Sequence, residues 1–420
     1  MTSAEIKTLD AQCAMQTYGR FDAVIDHGKG ATLHSPEGKE YIDFTSGIGV
    51  ASIGYGNTKW ADAIYAQALK LQHISNLYFS EPYVKLAQVL MARTGMKNVF
   101  FSNAGGEANE GMIKLARKYS FDKYGKGRST IISLEQSFHG RTITTLAATG
   151  QEVFHNYFFP FTEGFTHVPA NDIQALKSLI NAQAASESAG ASPFDGTAAL
   201  KLKPGDASCG VCAVLIELVQ GEGGVLPLDE EYVKAVAELC AARDILLLVD
   251  EVQSGVGRTG TLFAYQQYGI KPDVVSFAKG IAGGLPMGGI MANEKCSAVL
   301  SAGTHATTFG GNPVAAAGAL EVLSQLSDET LSEVLKKGTY IMETVKSWGL
   351  PIVREVRGRG LMIGVSLSGA EPKEVATKCV EAGLLILTAG DDALRMLPPL
   401  VITYEEIDRG LEILKIVLGN

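Results

Sequence analysis

The sequence predicts an α/β protein in which a large domain is built on a mostly parallel central sheet and a smaller domain is α+β. Three observations predict it. Through the middle of the chain, short apolar runs alternate with amphipathic helical stretches, the pattern of βαβ units. Residues 316–420 change character, with β-rich runs separated by helical segments. At 420 residues and 46% hydrophobic, the chain has room for one large core and a smaller one.

The elements follow in order. "GATLHSPEGKEYIDF" reads as a hairpin with "SPEGK" as its turn, and it is expected to join the small unit. "NVFFS" is the first strand of the large sheet, followed by a helix expected to start near Glu107. "STIISL", "VCAVLIEL", "ILLLVDE" and "VVSFAK" are further strands, with the helix "DEEYVKAVAELCAAR" among them. "EVRGRGLMIGVSL", "AGLLILTAG" and "ALRMLPPLVI" supply the small unit's strands and "YEEIDRGLEILKIVL" its last helix. The expected division is residues 1–55 joining the small domain, 56–315 as the large domain and 316–420 as the small one. Residues 183–208, rich in Ala, Ser and Gly, read as a surface excursion.

Charge and composition exclude several functions. A net charge of −9 without a Lys/Arg run argues against a nucleic-acid partner. No stretch approaches the roughly 18 apolar residues of a membrane span. The opening "MTSAEIKTLDAQ" lacks the apolar core of a signal peptide, so a cytoplasmic location is expected. Six cysteines are sparse, as in a reduced compartment. The Cys209/Cys212 pair lacks the partners of a zinc set, and no metal site is expected.

In a parallel sheet, ligands sit beyond the carboxyl ends of the strands. "ILLLVDEVQSGVGRTG" ends such a strand on Asp250, whose burial without a cation would cost several kcal/mol. Gly255, Gly257 and Gly260 match a dinucleotide fingerprint, but the two acids before them would repel a pyrophosphate and no long helix opens there. "SNAGGEANEG" is better placed: Gly105 and Gly106 can present amides to a phosphate at a helix N-terminus. Lys279 closes another apolar strand, where a lysine is rare unless paired or reactive. A phosphate cradle, a strand-end carboxylate and a strand-end lysine are what pyridoxal 5′-phosphate requires. Its pyridinium is the cation that would neutralise Asp250.

The segments "SNAGGEANE", "FHGRT", "QGEGG", "DEVQSGVGRTG", "SFAKGIAGGLPMG" and "TTFGGNP" resemble, in order and spacing, the class III (ornithine-type) aminotransferases of the type I pyridoxal-phosphate fold. The resemblance runs from "TYGR" to "LTAGDDALRMLPPLVI". It implies that Lys279 is the Schiff-base lysine and proton carrier, that Asp250 partners the pyridinium, and that Gln253 donates to the cofactor's ring oxygen. Val252 and Phe138 would pack on opposite ring faces, with His139 a polar rim residue. Arg141 would grip a carboxylate far from the reacting amine, and Arg395 the α-carboxylate of glutamate, with Glu222 as its movable mask. Thr307 and Thr308 would reach the neighbouring subunit's site in a homodimer, Thr308 at the phosphate and Thr307 toward the substrate.

The chain departs from the family in Ala104-Gly105-Gly106, which lacks a commonly present hydroxyl, and in Leu218 and "GYGNTKW", which read as structural. The implied reaction moves the terminal amine of N-acetylornithine to 2-oxoglutarate, as in arginine biosynthesis. Ornithine, succinylornithine and 4-aminobutyrate are rival donors. An aminomutase on glutamate semialdehyde would have no use for Arg395 with Glu222.

Overall fold

The computed structural model describes residues 1–187 and 210–419. Seven strands form the central sheet: β1 (Asn98–Ser102), β2 (Thr130–Leu134), β3 (Phe165–Val168), β4 (Val211–Glu217), β5 (Leu246–Asp250), β6 (Val274–Phe277) and β7 (Gly288–Ala292). Their order is β1-β7-β6-β5-β4-β2-β3. All neighbours are parallel except β7, which runs against both β6 and β1. The sequence reading passed over β7. Its "GGIMA" carries two glycines of low strand propensity, and both lie too close to neighbouring backbone to admit a Cβ without movement.

Burial on both faces explains the uninterrupted apolar runs. Leu246, Leu248, Ala213 and Leu215 face the helix Gly105–Tyr124 through Met112, Ile113 and Ala116. Leu247, Val249, Val214 and Ile216 point the other way, into the core that includes helices Glu81–Thr94, Glu230–Arg243 and Pro313–Gln325. This two-sided packing fixes the sheet and hence the position of its carboxyl edge. There the register sets Asp250 beside Glu217 on one side and Ser276 on the other.

The expected hairpin is present. Thr32–His34 pairs antiparallel with Glu40–Asp43, and the turn closes through a bond from Ser35 N to Lys39 O, with Gly38 at φ +84°. Glu40–Asp43 also pairs in parallel with Leu384–Leu385. Four antiparallel strands, Val353–Arg359, Met362–Leu367, Leu387–Ala389 and Ala393–Met396, make the C-terminal sheet, flanked by helices Asp328–Ser347, Pro372–Glu381 and Tyr404–Gly419. Most of the 183–208 excursion and Cys209 lie outside the described residues. Cys212 is buried in the sheet, and burial pushes its thiol up to about 12. Among the described residues no cluster of metal-ligating side chains occurs, and no helix is long and apolar enough to cross a membrane.

Candidate active site

A cavity of about 650 Å³ opens at the carboxyl edge of β4, β5 and β6. It is lined in part by Gly105, Gly106, Phe138, His139, Arg141, Asp250, Val252, Gln253 and Lys279, so one pocket gathers nine of the residues singled out from sequence.

The two acids at the end of β5 part company. Glu251 turns away, accepting from Ala264 N, Tyr265 N and Ser254 Oγ; burial pushes its carboxyl up to about 7. It fixes the next turn and never meets the cavity. Asp250 faces the cavity. Its Oδ1 accepts from Val252 N at 3.0 Å and Ser276 Oγ at 3.3 Å, and its Oδ2 from Asn109 Nδ2 at 2.7 Å and His139 Nδ1 at 2.8 Å. Burial would raise this carboxyl, but the His139 bond and charge, with the Val252 and Asn109 bonds, hold it below the usual carboxylate range.

His139 is therefore not a rim residue. It is 2% exposed, and because a carboxylate can only accept, the contact with Asp250 places a proton on Nδ1. His139 Nε2 and Asn109 Oδ1 are buried without partners among the described residues.

Helix Gly105–Tyr124 starts at Gly105, two residues earlier than expected, and has no side-chain cap. The preceding turn is instead held by Glu107 Oε2, which accepts from Asn103 N and Nδ2 at 2.8 Å each. The first amides are left at the cavity wall. Gly105 is required by its neighbour: a Cβ there would lie 2.7 Å from Val252 Cγ1. Val252 and Phe138 both line the cavity.

Lys279 opens a short 3₁₀ turn after β6 with φ +45°, a left-handed conformation costly for a side chain with a Cβ. Its side chain makes no hydrogen bond or close ion pair among the described residues. Burial pushes its amine below the ordinary value, against the pull of Glu222, Asp250 and Glu217. An amine whose charged form is disfavoured is the better base or nucleophile.

Arg395, on the strand Ala393–Met396, is 3% exposed and bidentate to Glu222, at 2.6 Å from Nη1 to Oε1 and 3.1 Å from Nη2 to Oε2. Burial would raise the Glu222 carboxyl, but Arg395 holds it below the ordinary range. Gln253 joins this pair: its Oε1 accepts from Arg395 Nη1 at 3.1 Å and its Nε2 donates to Glu222 at 3.3 Å. Gly221 makes this possible, because a Cβ there would collide with the Gln253 amide. Arg141 is exposed and has no carboxylate partner among the described residues; it stacks on Phe154 and Phe138. Thr307 and Thr308 do not line this cavity. Thr307 Oγ1 accepts from Asn103 Nδ2 at 3.2 Å, and Thr308 is exposed.

Residues 14–418 match the family described as Aminotransferase class-III. The chain belongs to this family. The class III aminotransferase is 49% identical to an acetylornithine aminotransferase of Haemophilus ducreyi, covering 100% of both chains, and 42% identical to one of Caldanaerobacter subterraneus, covering 98% of this chain and 99% of the other. Its fold resembles the ornithine aminotransferase of Toxoplasma gondii, with TM-score 0.90 and 29% identity over 100% of this chain and 95% of that one. It also resembles the N-acetylornithine aminotransferase of Stenotrophomonas maltophilia, with TM-score 0.80 and 32% identity over 98% of each chain.

Among the polar residues of the aminotransferase cavity that sequence reasoning missed, Asn109 and Glu217 each had a readable signal. Asn109 lies four residues after Gly105, one helical turn along the same face. Glu217 ends β4 as Asp250 ends β5; its Oε2 accepts from Phe138 N at 2.8 Å and its Oε1 from Gly221 N at 3.2 Å. Burial, and then Asp250, push its carboxyl up to about 7 against the pull of His139.

Proposed function

We propose that this aminotransferase moves the terminal amine of N-acetylornithine to 2-oxoglutarate, giving N-acetylglutamate semialdehyde and glutamate, a step of arginine biosynthesis. The observation that carries the reading is the unequal state of two arginines. Arg395 is masked by Glu222, while Arg141 is unpaired among the described residues. A donor reacting at its terminal amine carries its carboxylate far away, at Arg141, and needs Arg395 covered. Glutamate reacts beside its α-carboxylate and needs Arg395 uncovered. The names of the two relatives at 49% and 42% identity support the acetylated donor over ornithine, succinylornithine and 4-aminobutyrate.

The residues fit pyridoxal 5′-phosphate. An uncapped helix start offers amides to its phosphate, and the buried Asp250, kept ionised, suits a protonated ring nitrogen. Val252 and Phe138 would flank the ring, and Lys279 would hold the cofactor covalently. Bound there, the cofactor supplies an electron sink at the carbon bearing the amine. Asp250 holds the ring proton, His139 and Asn109 orient Asp250, and Lys279 Nζ takes up and returns the proton at the donor carbon. Arg141 binds the distal carboxylate, while Arg395 is released by Glu222 for the α-carboxylate of glutamate. Gln253, engaged here with the latch, would donate to the cofactor's ring oxygen once Arg395 is freed.

A homodimer completes the reading, with Thr307 and Thr308 serving the neighbouring site. Beside them lies exposed apolar surface suited to a second copy: Leu77 is 86%, Phe79 100% and Phe309 61% exposed, and Asn76 Nδ2 ties this surface to Thr307 O and Gly310 O. We read 56–315 as the cofactor-holding domain and 1–55 with 316–420 as the smaller one, supported by the pairing of Glu40–Asp43 with Leu384–Leu385. A cytoplasmic location agrees with the free thiols of all five described cysteines.

The test is the visible absorbance of the holoenzyme while N-acetylornithine, ornithine, succinylornithine, 4-aminobutyrate and glutamate are added separately. Conversion by N-acetylornithine and glutamate is expected. Faster conversion by another donor would replace the substrate, and no conversion by any would overturn the reading.

A further inference from the structure

Arg141 is exposed at the cavity mouth, without a hydrogen bond or ion pair among the described residues. Such a side chain ordinarily samples many rotamers, and ordering it costs up to about 2 kcal/mol of side-chain entropy. Here its Cζ lies 4.3 Å from the ring centroid of Phe154 and 5.5 Å from that of Phe138. The two rings meet edge to face, 5.6 Å apart at 71°. Phe154 does not line the cavity; it stands behind Arg141.

Its own position is well held. Phe154 belongs to the 3₁₀ turn Glu152–Phe154, and Gln151 Nε2, at the start of that turn, donates to Ser137 O at 3.1 Å, next to Phe138. His155, at its end, is anchored by Nε2 to Leu146 O at 2.8 Å. A carboxylate in the place of Phe154 could also hold Arg141, but it would neutralise it. An aromatic face attracts the guanidinium and leaves its N–H edge free to receive a carboxylate.

We infer that Phe154 is a positioning residue for Arg141, which with Phe138 brackets the guanidinium and presents it unpaired to the substrate's distal carboxylate. The inference rests on the proposed role of Arg141, and it makes Phe154 a determinant of specificity for donors that carry that carboxylate.

The experiment compares N-acetylornithine with N-acetylputrescine, which has the same terminal amine and acetyl group but no carboxylate, in the Phe154→Leu and Phe154→Tyr holoenzymes. Binding of glutarate, a dicarboxylate that cannot turn over, is measured alongside. Loss of a cation–π contact on an exposed guanidinium predicts a roughly two- to fivefold rise in KM for N-acetylornithine in Phe154→Leu, with kcat within about twofold. Glutarate weakens by a similar factor, N-acetylputrescine is unchanged, and Phe154→Tyr stays near the parent. Equal losses for both donors, or no loss for N-acetylornithine and glutarate, would overturn the inference. A parent enzyme that ignores N-acetylornithine but binds glutarate in a Phe154-dependent way would remove the proposed substrate and keep the role of Phe154.

Discussion

Removing the mask on Arg395 should make glutamate a better substrate. In the parent chain an incoming α-carboxylate must displace Glu222 from a bidentate pair with bonds of 2.6 and 3.1 Å, on an arginine only 3% exposed. A hydrogen bond between charged partners contributes about 1.5–3 kcal/mol. The substrate replaces one carboxylate with another, so the penalty of opening the latch is roughly that of one such bond. At about 1.4 kcal/mol per factor of ten, Glu222→Ala should lower the KM for glutamate by roughly ten- to a hundredfold. N-acetylornithine should become inhibitory at high concentration, because its own α-carboxylate can now dock on Arg395 and bring the acylated nitrogen to the reacting position. Glu222→Gln, which keeps the shape and drops the charge, should fall between the two enzymes and guards against misfolding around an unpaired arginine. The assay is the single-turnover absorbance change with each donor. A glutamate KM that is unchanged or raised in both variants would refute the latch.

Three further outcomes are expected. Lys279→Ala should lower kcat at least roughly a hundredfold, the usual contribution of a positioned general base; a kcat within tenfold of the parent would remove Lys279 from proton transfer. Gly105→Ala places a Cβ 2.7 Å from Val252 Cγ1, and overpacking of about 1–3 kcal/mol should weaken cofactor retention roughly tenfold or more, read as cofactor released on dialysis. Glu251 has its carboxyl pushed up to about 7 by burial, so the folded state favours its neutral form and its stabilising contribution is lost as pH rises from about 4.5 to about 7. The advantage in Tm of the parent over Glu251→Gln should accordingly be larger at pH 5 than at pH 8, and an advantage that grows with pH would show the sign to be wrong.

The sequence by itself determined the α/β architecture, because apolar runs such as Ile245–Val249 can be satisfied only in a strand covered on both faces, and each must end at the edge where ligands bind. It determined that Asp250, Lys279 and the Gly105–Gly106 turn share that edge, since each directly follows or ends a strand. The tertiary structure alone decided which polar groups meet there. His139 read as a polar rim residue because Lys279 already supplies the base; only the approach of the "FHGRT" loop to the end of β5 sets Nδ1 against Asp250. The same holds for Gln253 in the Arg395–Glu222 latch and for Phe154 behind Arg141, contacts between segments 142 and 13 residues apart. Strand ends are local in sequence and legible there, whereas the partners of a buried charge are set by long-range packing and hydrogen-bond geometry, which local residue patterns do not specify.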